Sequence, residues 1–107
     1  MRAHIKMNMR DHMVALTDAR TRVATEAWDQ TSERIEQRIG MSSMESYGAS
    51  HMTPLMPAAM RELGTAMHHE ASRLSRTLVE TDPQKVMAGF VALTKRCGAC
   101  HAGFRVQ

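Results

Sequence analysis

The chain's only two cysteines lie in the segment KRCGACHAGFR, which sets Cys97, Cys100 and His101 at i, i+3 and i+4. On a helix these three residues share one face. Two thiols so placed can bond the two vinyl groups of one porphyrin while the imidazole reaches its iron. The small Gly98 and Ala99 let the ring edge approach the backbone. C-x-x-C-H is the attachment signal for haem c. Three other chemistries would use part of this set. A thioredoxin-like redox pair follows a strand at the start of a helix, and no strand pattern precedes Cys97. A structural zinc site needs four ligands, and the sequence offers no second C-x-x-C and no H-x3-H pair. A disulfide or a pair of core thiols leaves His101 without a role. Covalent haem uses all three residues.

The elements that must position these residues are helical. Between about Ala3 and Ala24, Ile5, Met9, His12, Leu16, Ala19 and Val23 recur at alternating spacings of four and three, the seam of a helix bundle. Trp28, Ser32, Ile35 and Ile39 continue that period over a short second helix, about Asp29 to Ile39, and Gly40 is a stop signal. The Ser- and Gly-rich stretch MSSMESYGASHM reads as a loop. A third helix begins at Thr53-Pro54 or at Pro57, with a seam of Met56, Met60, Leu63, Met67, Glu70 and Leu74 in which Glu70 needs a partner charge. Thr81-Asp82-Pro83 announces a fourth, with the seam Val86, Phe90, Leu93, Cys97, Cys100 and Phe104. The expected fold is therefore all-α, an antiparallel four-helix bundle forming a single domain over residues 1–107.

Composition narrows the function. Eleven residues are Met and only four are aromatic. Methionine is flexible and polarizable, and fills irregular gaps around an odd-shaped object. The formal charge is +3, with the basic residues scattered, so no nucleic-acid-binding stripe is indicated. No stretch is long and apolar enough to span a bilayer. MRAHIKMNMR carries charge but no apolar block after it, so no secretory leader is visible. Haem c is normally attached after export, which implies a periplasmic protein whose leader is absent from this sequence.

A final helix reading C-x-x-C-H-x-x-[FY]-R, closing four helices of this total length, resembles the cytochrome c′ family, the class II c-type cytochromes. The matching residues are Cys97, Cys100, His101, Phe104 and Arg105. The resemblance implies one haem c clasped between the first and last helices, His101 as the proximal iron ligand, and Arg105 near the haem propionates or rim. The chain departs from the family in its short second helix and in the arginine spacing of its first.

The opposite side of the iron is set by topology. In an antiparallel bundle the start of the first helix is level with the end of the fourth, which selects Met9, His12 and Met13. NMRDHMVAL resembles the opening of the methionine-ligated members of the family, and this favours Met9 as the metal ligand, with His12 and Met13 as alternatives. Met/His-ligated iron has no free site, which implies one-electron transport to redox partner proteins in the periplasm and no enzyme activity. The alternative is a five-coordinate, gas-binding protein of the c′ type with Leu16 or Met13 over the iron. A third reading is a periplasmic copper protein using the soft ligands of MNMRDHM and HMTPLM. Relatives of this shape occur as monomers and as homodimers.

Overall fold

The computed structural model describes residues 2–45 and 48–104. Its helices are α1 (Arg2–Ala24), α2 (Trp28–Arg38), a single turn α3 (Ala49–Met52), α4 (Ala58–Leu78) and α5 (Pro83–Gly103). No strand occurs among the described residues. The four long helices form a bundle of 39 × 23 × 20 Å.

Local chemistry sets the helix ends. After α1, Glu26 takes a left-handed conformation (φ 58°), and Ala27 N–H donates to the Arg22 carbonyl at 3.0 Å. That turn is short enough to send α2 back along α1. Arg38 Nη2 then donates to Asp11 Oδ1 at 2.7 Å, tying the two helices. The α4–α5 turn is capped by Asp82, whose Oδ1 accepts from Gln84 N–H and Lys85 N–H at 3.0 and 3.3 Å. Pro83 occupies the first helical position, where its missing N–H is harmless.

The stretch expected as a loop holds one 3-10 turn, Met41–Ser43, and α3, and a second 3-10 turn, Thr53–Leu55, follows it. Of the two starts considered for the third long helix, the structure takes Pro57, which is the residue before Ala58. Thr53-Pro54 makes a separate turn. The reason is local: Met56 precedes a proline, which pushes it out of the helical region, and it is extended at φ −98°, ψ 145°.

Adjacent pairs are α1–α2, α2–α4 and α4–α5. Small residues allow the central crossing. Ser32 Oγ donates to the Ser75 carbonyl at 2.6 Å, and Ser75 Oγ donates to the Ser32 carbonyl at 2.7 Å. On the fourth side, α1 meets α5 through Arg20, whose guanidinium lies 6.0 Å from the Phe90 ring centroid and within 3.5 Å of Thr94 Oγ1.

The hydrophobic core occupies only part of the bundle's length. Ala15, Leu16 and Ala19 of α1, Met67, Ala71, Leu74 and Leu78 of α4, and Val86, Phe90 and Leu93 of α5 close around Ile35 and Ile39. These come from the later part of α1 and α4 and the first part of α5. The remaining seam residues, from the start of α1 and α4 and the end of α5, belong to something else. Glu70, which broke the expected stripe, is buried and has Arg73 and Arg96 guanidinium nitrogens at 3.9 and 3.8 Å.

Candidate functional site: an apolar cavity at one end of the bundle

Where the core stops, the helices flank a half-open cavity of about 890 Å³, within the range of small-molecule and cofactor sites. Ile5, Asn8, Met9 and His12 of α1 form one wall; Met60, Gly64, Met67 and His68 of α4 another; Cys100, His101, Ala102 and Phe104 a third, at the end of α5 and just past it. Met44, Met52 and Met56 from the α2–α4 connection close it. That connection is held by Arg61, whose Nη1 donates to the carbonyls of Met56 and Thr53 at 3.0 and 3.3 Å. Six of the eleven methionines line this one space.

Seam positions that were spaced for a core thus line a hollow. Met9 and Met60 are half-buried, and nothing lies within 4 Å of a Cβ built at Gly64. Lys6, Arg10 and Arg61 are the cations of the lining, and no carboxylate is among its described residues.

The residues singled out in the sequence fall as follows. Met9, His12, Cys100, His101 and Phe104 come together around the cavity. His101 is exposed on the surface side. Cys97 is half-buried one turn before Cys100 and packs against the hydrophobic core. Met13, the other alternative ligand, does not join them: it is 58 % exposed and outside the lining. The cause is the width of the α1 seam, on which Met13 lies beyond His12 and faces solvent. Leu16, the other residue suggested to shield an open iron, is 6 % exposed within the core and does not line the cavity. Arg105 lies outside the described residues. Of the segments that suggested copper, Met52 and Met56 line the cavity, whereas Met7 and His51 do not.

Both cysteines are free. Burial pushes both thiols above their ordinary pKa, and Cys97 is raised further by Cys100. A thioredoxin-like reactive cysteine requires the opposite shift. Among the described residues no cluster of three or more His, Cys, Asp or Glu could hold a metal ion.

Sequence reading gave His68 no role, yet it is tied to the backbone in the cavity wall. Its Nδ1–H donates to the Ile39 carbonyl at 2.6 Å; since a carbonyl only accepts, the proton must sit on Nδ1 and leave Nε2 as the basic nitrogen. The His68 ring meets that of His12 edge to face, with centroids 5.5 Å apart. Burial lowers the pKa of both, that of His12 to about 4, so both rings are neutral at pH 7. His69, its neighbour, is exposed. No protein-family model, curated protein or solved structure gives a significant match to this chain.

Proposed function

We propose that this bundle is a c-type cytochrome that carries one covalent haem in the end cavity and passes single electrons. The observation that supports this most is the convergence of Cys100 and His101 on α5 with Met9 on α1 around one apolar space of about 890 Å³.

The donor set fits the group. Cys97 and Cys100 are protonated thiols one helical turn apart, suited to thioether formation. His101 supplies an imidazole on the same turn, and Met9 a thioether from the facing helix. The methionine walls are apolar and deformable, able to close on a flat ring. Lys6, Arg10 and Arg61 offer positive charge for its carboxylates. Gly64 leaves open space in the cavity where a side chain would intrude.

Bound there, haem would supply a one-electron couple. The chain's residues decide how that couple is used. His101 and Met9 would both hold the iron, leaving it no site for a substrate, and this argues against an enzyme. A methionine ligand favours the reduced state and raises the potential. The largely apolar lining would disfavour the additional charge of the oxidised state. The gas-binding alternative has lost its two shielding residues, since neither Leu16 nor Met13 lines the cavity. Covalent haem attachment implies an exported, periplasmic carrier meeting redox partner proteins there. No helix of the described residues is long and apolar enough to cross a membrane.

The test is the absorption spectrum of protein matured in a host that attaches haem c. The reading predicts low-spin haem with a weak iron–sulfur charge-transfer band at long wavelength. High-spin haem that takes up CO at once would overturn Met9 ligation and return the gas-binding reading.

A further inference from the structure

The His12–His68 pair is more than ring packing requires. The two imidazoles arrive from different helices, α1 and α4, and line the same cavity. Metal-binding histidines almost always donate their second ring N–H to a carbonyl or carboxylate, which fixes the tautomer and the ring orientation. His68 does this through Nδ1–H to the Ile39 carbonyl, and the Nε2 atom of His12 is buried. Both rings are neutral at pH 7 and available as ligands without losing a proton.

The remaining donors select the metal. Besides Cys100 and His101 the lining holds methionine thioethers and no carboxylate, and among the described residues no group of three or more His, Cys, Asp or Glu could hold a metal ion. Calcium and magnesium require oxygen ligands, and a structural zinc site requires four nitrogen, sulfur or carboxylate ligands. Two neutral imidazoles with thioethers in a largely apolar space match a soft monovalent ion.

We propose that His12 and His68, completed by a methionine thioether of the cavity wall, bind one Cu(I) ion. This site shares its cavity with the proposed haem, so it is a property of the haem-free chain, and it does not rest on the haem reading.

The experiment uses the full-length Cys97→Ser/Cys100→Ser chain, which removes thiols that would themselves take Cu(I) and cannot attach haem. Cu(I) is offered in competition with the chromophoric chelator bathocuproine disulfonate. The expected result is withdrawal of one equivalent, weakened roughly ten-fold or more by either His12→Ala or His68→Gln. Glutamine at 68 can still donate to the Ile39 carbonyl, and circular dichroism checks that each variant keeps its helices. X-ray absorption should then show both nitrogen and sulfur around copper. Failure to withdraw Cu(I), affinity unchanged in either variant, or a sulfur-only shell would overturn the proposal.

Discussion

His12 and His68 stand edge to face in the cavity wall, 5.5 Å between ring centroids, and each is held neutral chiefly by burial. That relationship makes stability depend on pH. The His12 pKa drops from 6.5 to about 4 on folding, so between those values the unfolded chain binds the proton that the folded chain refuses. The stabilising contribution is complete above pH 6.5 and is lost as pH falls toward 4. Its ceiling is about 3 kcal/mol, reduced by the part of the site that reaches solvent. Thermal melts of the haem-free chain from pH 8 to 4 should show this fall. His12→Leu should flatten the profile over that window, leaving the slope due to carboxylates at its acid end; an unchanged slope would contradict the account.

Met9 and His12, one turn apart on α1, both reach the cavity, and only one can be the ligand opposite His101. In haem-loaded protein, Met9→Ala should abolish the charge-transfer band, convert the haem to high spin and lower the potential. His12→Ala should leave the spectrum low-spin. The reverse pattern would assign the iron to His12.

Gly64 faces open cavity, with nothing within 4 Å of a built Cβ. Gly64→Leu should therefore be tolerated by the fold and, because glycine is a poor helix former, should stabilise the haem-free chain by up to about 1 kcal/mol. The added side chain fills space that the cofactor needs, so covalent haem per chain should fall. Full haem loading in this variant would mean that the cofactor lies elsewhere.

The helix that carries the attachment motif starts at a well-made cap. Asp82→Ala removes the acceptor for two backbone N–H groups and should destabilise the protein by about 1 kcal/mol in denaturant titration, with the haem spectrum unaltered. A shift in the spectrum would show that the cap reaches the far end of α5.

Much of this architecture was legible in the sequence. The recurrence of Ile5, Leu16, Ala19, Ile35, Leu74, Val86 and Phe90 marked the inward faces, and Asp82-Pro83 marked the start of α5, because periodicity and capping are local properties. The start of α1 and both ends of α2 differ by one residue from those read, the ordinary uncertainty where helices fray. The α4 start needed the competition between two prolines to be decided, and the extended Met56 decided it. Periodicity did not reveal where the seam stops being core. Met9 and Met60 obey the same spacing as Leu16 and Leu74, yet the first pair lines a hollow and the second fills one. A single helix also has a wider inward face than a strict seam, so the buried Asn8 and Ala15 went unread and Met13 was credited with a place it does not hold. His68 became meaningful only when α1 brought His12 to it and α2 brought the Ile39 carbonyl, two contacts between residues far apart in the chain.

The claim on which the rest depends is thioether attachment at Cys97 and Cys100. Intact-mass spectrometry of protein produced with the haem c attachment machinery, followed by peptide mapping and a pyridine haemochrome spectrum, addresses it directly. The account predicts one haem per chain, retained under denaturation and located on the peptide bearing Cys97, Cys100 and His101. A mass equal to that of the bare polypeptide, with both thiols open to alkylation, would contradict it.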